Sequence, residues 1–199
     1  MDVSPVTLPP EIVDRVTALA GAHPIARHVW SNGKVPIGFT KGMAVTFALD
    51  YAKLKAGDSA ALAMTAPLGP PETDALTWYG GHFADAGIMT LSAKAALLAR
   101  LYTIMMGLGP LESSGNPGEG RDRSADNVEH DTAEAGLFQT SWNIHTASPE
   151  IPKLFRAYKA GGQCLGDVFA EGAPVGMSED HGEGEGVEFQ NLTKTCPAF

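Results

Sequence analysis

Glu112-Ser113-Ser114-Gly115 closes a long apolar stretch, and Gly136-Leu137-Phe138-Gln139-Thr140-Ser141-Trp142 follows it after a loop rich in glycine and carboxylates. A carboxyl group at a helix end, facing a flexible acidic loop and a platform of aromatic and amide side chains, suits general acid catalysis at a glycosidic bond. That chemistry needs one carboxylic acid kept protonated near neutrality. Two features of the sequence favour Glu112: burial beside Leu108 and Leu111, which disfavours an anion, and the negative end of a helix dipole. Pro110 removes one backbone hydrogen bond and bends at most the last helical turn.

A second carboxylate decides the stereochemistry. Inverting glycosidases place a base about 6.5–9.5 Å from the acid, and retaining ones a nucleophile about 5–5.5 Å away. Asp122, Asp126, Asp131 and Glu134 are the loop candidates. Asp122 follows Gly120 and Arg121, a hinge and a cation that would keep it ionised, and with Asp131 it is the preferred partner of Glu112. Ser113, Arg121, Glu134, Phe138 and Asn143 are candidate substrate contacts. Trp142 offers either a flat apolar face for a sugar ring or an ordinary core side chain.

Helices must hold these residues. Pro9 and Pro10 open a first helix over Glu11–Ala20, with Ile12, Val16 and Leu19 at helical spacing. His23 to Phe39 reads as an ordered connection with a tight turn at Ser31-Asn32-Gly33. Thr40 is expected to cap a helix to Lys55, with Met43, Phe47, Tyr51 and Leu54 as its apolar stripe and Gly57 as its left-handed stop. A helical turn over Asp58–Met64 and a helix over Glu72–Ala84 lead to a helix from Ser92 to Leu111 with almost no polar face, which belongs in the middle of a core. Asn116 to Glu134 reads as a loop or small hairpin, Leu137–Asn143 and Ile151–Lys159 as helices. Gly161 onward, with Gly182-Glu183-Gly184-Glu185-Gly186, reads as a solvated loop or disordered tail.

Glu112-Ser113-Ser114-Gly115-Asn116-Pro117, followed by Ala135-Gly136-Leu137-Phe138-Gln139-Thr140-Ser141, resembles the lysozyme-like lytic transglycosylases and goose-type lysozymes, whose pattern is Glu-Ser and then Gly-Leu-Met-Gln. Phe138 stands where the family carries methionine, and the two motifs lie several residues further apart than is typical. The resemblance covers about thirty residues. It implies a mainly α, lysozyme-like helical domain with a small β-hairpin or loop insertion beside the cleft, cleaving β-1,4-linked amino-sugar polymers with Glu112 as general acid. It also implies sugar contacts at Gln139, and places Asp131 nearest the loop aspartate of goose-type lysozymes. Transglycosylases of this kind work with the one glutamate alone.

The bulk composition is consistent with that expectation. In 199 residues, 44% are apolar, enough for one core, so a single domain is expected over residues 1–199: an N-terminal helical part (1–91), a catalytic core (92–160) and a glycine-rich acidic segment (161–199). Twenty-three acidic against 14 basic residues give a net charge of -9, which disfavours nucleic acid as a partner and makes cationic chitosan (or chitin) the rival to peptidoglycan as polymer. No apolar run reaches the ~20 residues of a membrane span. The start lacks a basic and apolar leader, so the expectation is a cytoplasmic protein, a mature extracytoplasmic form, or export without a signal.

No Gly-x-Ser-x-Gly elbow, metal spacing or cofactor motif is present, and no cofactor is expected. Cys164 and Cys196 are either two thiols or a disulfide closing a loop of about thirty residues. Two other readings stand beside the glycosidase: an inert carbohydrate-binding protein on the same fold, and a wall-degrading effector toxin with a proteinaceous inhibitor as partner.

Overall fold

The computed structural model describes residues 6–31, 33–66, 69–70, 72–87, 93–120, 129–174 and 181–199. In chain order its elements are α1 (Pro10–Ala22), a 3-10 turn (Pro24–Arg27), β1 (Val29–Trp30), β2 (Gly33–Lys34), α2 (Ile37–Ala56), α3 (Ser59–Met64), α4 (Ala75–Trp78), α5 (Gly80–Asp85), α6 (Ala93–Ser113), a second 3-10 turn (Trp142–Thr146), α7 (Glu150–Lys159), α8 (Gly166–Phe169) and α9 (Glu185–Thr195). The architecture is mainly helical, with, among the described residues, one two-stranded antiparallel hairpin pairing Val29 with Lys34 and Trp30 with Gly33.

That hairpin lies upstream of the stretch where the sequence suggested one. Over the described part of 116–140 the chain makes turns and a single bridge between Ala135 and Thr140. The tight turn read at 31–33 falls between these two strands, with Asn32 outside the described residues, and the hairpin's exit through Val35 and Pro36 leads straight into α2.

Among the described residues three apolar clusters hold the helices, the smallest made by Tyr158, Cys196 and Ala198. α2 and α6 face each other through Phe39, Met43, Leu98 and Tyr102, joined by Leu137 and Phe169. Trp142, Phe155 and Phe189 form the second cluster, with Phe199 packed on it. Each such side chain removed from water contributes about 1.5–3 kcal/mol.

Several boundaries differ from the sequence expectation for local reasons. Pro36, fixed in an extended conformation, is the N-terminal flank of α2, so the helix starts at Ile37 and Thr40 lies buried inside it. Gly57 ends it in the left-handed conformation, as expected. The stripe on α1 is not enclosed: Ile12 is 37% and Leu19 66% exposed. Residues 72–84 form two short helices, because Asp74 caps the first through Leu76 and Thr77 and the chain restarts at Gly80. Instead of a helix over 137–143 the chain turns and enters the 3-10 segment.

The C-terminal segment is also more ordered than its composition suggests. The acid-glycine alternation hides Val187, Phe189 and Leu192, which give α9 an apolar side; Val187, Phe189 and Gln190 are buried. Cys164 and Cys196 form a disulfide that ties the end of α9 to the segment before α8. Among the described residues, no helix is long and apolar enough to cross a membrane.

Candidate functional site

α6 carries Glu112 on its last turn, and Pro110 is accommodated inside the helix. Gly109 leaves room there for the rings of Phe39 and Phe138, which would crowd any β-carbon. The helix stops where Ser114 and Gly115 turn left-handed, with φ of 55° and 73°, and the Gly115 N–H donates to the Gly109 carbonyl at 3.1 Å.

The second motif folds back onto this end. Ala135 and Thr140 exchange two backbone hydrogen bonds of 3.1 Å, closing a loop in which Gly136 and Gln139 have φ of 79° and 47°. Ser113 joins the two motifs: its buried hydroxyl lies 2.8 Å from the Leu137 carbonyl and 3.1 Å from that of Gly109. Glu119 adds a second link by accepting the Gly136 N–H on its carbonyl at 2.9 Å.

Glu112 itself is exposed, and its carboxyl makes no hydrogen bond or ion pair with another described residue. Burial beside Leu108 and Leu111 does not occur, since these are 38% and 57% exposed; the last turns of α6 bury Gly109, Pro110 and Ser113 and turn Leu108, Leu111 and Glu112 outward.

Other candidates fall into different roles. Ser113 is engaged with backbone carbonyls and orients the two motifs. Gln139 donates to the Gly136 carbonyl at 3.0 Å and braces its own loop. Phe138 is half-buried against the first cluster. Trp142 is 6% exposed, stacked among Phe155, Phe189 and His145, so it is a core side chain and not an open platform.

Asn143 is exposed; it accepts from the Ser141 hydroxyl at 2.8 Å, and its N–H donates to the Asp131 carbonyl at 2.8 Å. Asp131 and Glu134 are exposed, Asp131 with its carboxylate against Gly186 in the first turn of α9. Arg121, Asp122 and Asp126 lie outside the described residues.

Sequence reading missed Glu119, although it sits in the same acidic stretch. The turn Asn116–Glu119 is built by Asn116, whose Oδ1 accepts from the Gly118 N–H at 3.1 Å while its Nδ2 donates to Glu119 Oε2 at 3.0 Å. An Asn-Pro-Gly run is a turn signal, and a carboxylate three residues after its Asn was the available clue.

Behind the loop lies a cavity of about 180 Å³, with Leu137, Phe138 and Thr140 on one side and a buried ionic group on the other. There Asp50 accepts from the Tyr102 hydroxyl at 2.6 Å and from Lys53 at 3.1 Å, Lys53 also donates to Tyr158 at 3.1 Å, and Tyr158 donates to the Ala198 carbonyl at 2.8 Å. Burial opposes the charge of Lys53, yet Asp50 and Tyr158 beside it hold its amine above the ordinary value. Burial, reinforced by Asp50, pushes Tyr102 well up, and burial also raises Tyr158 against the pull of Lys53. Each member is paired, so the group ties α2, α6, α7 and the chain end together.

Among the described residues no three His, Cys, Asp or Glu side chains gather as metal ligands. Comparison of the chain with protein-family models, with curated proteins and with solved structures gives no match.

Proposed function

We propose that the protein cleaves β-1,4 bonds in an amino-sugar polymer, as a hydrolase or lytic transglycosylase, with Glu112 as general acid. The observation that carries this reading is the Ser113–Leu137 hydrogen bond, which brings the Glu-Ser and Gly-Leu-Phe-Gln segments together. The two segments also hold Ser114 and Gln139, two of the three non-glycine residues with left-handed backbone among the described residues. Such strain concentrates at working sites. An exposed carboxyl with no ion-pair partner among the described residues is accessible to a polymer.

In this reading Glu112 hands its proton to the bridging oxygen as the C1–O bond breaks. The resulting carboxylate then takes the proton of the incoming nucleophile, which is water in hydrolysis or the sugar's own hydroxyl in transglycosylation, and the acid is regenerated. Asp131 and Asp122 are the proposed second carboxylates for the hydrolytic route. Peptidoglycan is the first polymer to test and chitosan the second.

The experiment is release of reducing ends and anhydro-sugars from both polymers by wild type and Glu112→Gln. Loss of the acid should lower turnover by about 10²–10⁴-fold. Equal activity in both proteins removes Glu112 from the reaction, and binding without cleavage of any polymer by wild type replaces the enzyme with a carbohydrate-binding module.

A further inference from the structure

A polar pocket of about 430 Å³ opens beside the end of α6, between the hairpin exit at Lys34, Val35 and Pro36 and the turn that carries Ser114, Asn116 and Glu119. Its size falls in the range of small-molecule sites. Ser113 and Ser114, the two residues directly after Glu112, belong to its wall.

Glu119 is the pocket's half-buried carboxylate. Its backbone is fixed at both ends of the turn, by its own N–H to the Asn116 carbonyl at 3.3 Å and by the Gly136 N–H to its carbonyl at 2.9 Å. One side-chain oxygen is held by Asn116 at 3.0 Å. The other bonds no described residue. A carboxylate oriented by its own support, with one oxygen that no described residue takes up, is prepared for O–H or N–H donors from outside. Val35 and Pro36 add an apolar wall of the kind that covers the C–H face of a sugar ring.

We infer that this pocket is a sugar subsite, in which Glu119 accepts hydrogen bonds from the hydroxyl or nitrogen donors of one pyranose ring and so positions the amino-sugar chain for Glu112. The inference rests on the glycosidase reading. Glu119 is a positioning residue: it holds the chain, and the proton is transferred by Glu112. A free ammonium on the ring would pair with it more strongly than an acetamide, because a charged donor roughly doubles the bond.

The test uses full-length protein silenced by Glu112→Gln and titrated with chitotetraose and with its deacetylated form. Binding should weaken by about tenfold or more on adding Glu119→Gln, with the larger loss for the deacetylated oligomer. In protein retaining Glu112, Glu119→Gln should raise KM and leave kcat nearly unchanged, and Glu119→Asp should recover part of the loss.

Amide chemical shifts of the Glu112→Gln protein give a readout independent of any change at position 119. Added oligosaccharide should move Lys34, Val35, Ser114 and Asn116. Glu112-dependent cleavage with unchanged binding in Glu119→Gln, or with shifts elsewhere only, overturns the subsite and leaves the reaction standing. Absence of both binding and cleavage removes the reaction and the subsite with it.

Discussion

The hydroxyl of Ser113 donates to the carbonyl of Leu137 at 2.8 Å, across 24 positions of sequence. It is buried, and it is the direct side-chain link between the helix end that carries Glu112 and the loop that follows. Ser113→Ala leaves that carbonyl without its partner. Stability should fall by about 1–2 kcal/mol in urea denaturation, and polymer turnover should fall by roughly tenfold more than the folded fraction explains, because the two motifs lose their register.

Gly136 has φ of 79°, and a β-carbon there would lie 2.8 Å from the Thr193 β-carbon on α9. Alanine is wrong on both counts. Gly136→Ala should cost about 1–3 kcal/mol, measured by thermal melting, and should raise hydrogen exchange at Ala135 and Thr140 first.

Asp50 is the anion around which Tyr102 and Lys53 are arranged. Removing it strands a buried ammonium. Asp50→Ala should destabilise by about 3–5 kcal/mol, read from denaturant midpoints, whereas Asp50→Asn, which keeps an acceptor, should cost less.

The same group sets the response to alkali. Lys53 is held above its ordinary value in the folded chain, so its contribution is complete below the unfolded value and is lost as pH rises through the folded one. Tyr102 and Tyr158 are raised as well; the unfolded chain gives up these protons first, which again favours unfolding as pH rises. All three act in one direction. Stability should decline above about pH 10, and Tyr102→Phe should show a shallower decline between pH 9.5 and roughly 11.5. An unchanged slope in the variant would remove Tyr102 from this account.

The Cys164–Cys196 disulfide spans 32 positions. Its reduction should lower stability by about 2–4 kcal/mol, seen as a drop in Tm with a phosphine reductant. The double variant Cys164→Ala, Cys196→Ala should melt low with or without reductant.

Where one periodicity or one turn residue governed the backbone, the sequence was readable: α7, α3 and the Gly57 stop of α2 all follow from local signals. The pairing of Glu112-Ser113 with Gly136–Gln139 was legible as a motif, but the work of its members was not. Ser113 and Gln139 look like sugar ligands in one dimension and bond to backbone carbonyls in three. Trp142 reads as a platform until Phe155 and Phe189, brought from distant positions, close over it. Leu108 and Leu111 follow an apolar pattern on a face of α6 that stays exposed, while Gly109, Pro110 and Ser113 take the buried one. The tail was obscured by its glycine and acid content, which says nothing of how Phe189 fits against Trp142 and Phe155 or Gln190 against His130 and Ala133.

Gln190, fully enclosed, donates to the carbonyls of His130 and Ala133 at 2.7 and 3.3 Å, and Thr193 touches Gly136. The braces of the second motif therefore come from α9, more than fifty residues after the segment they hold. During synthesis on the ribosome the segment around Ala133–Gly136 must wait, incomplete, until the chain has been extended past Thr193, so maturation of this region is timed by a helix that emerges well after it.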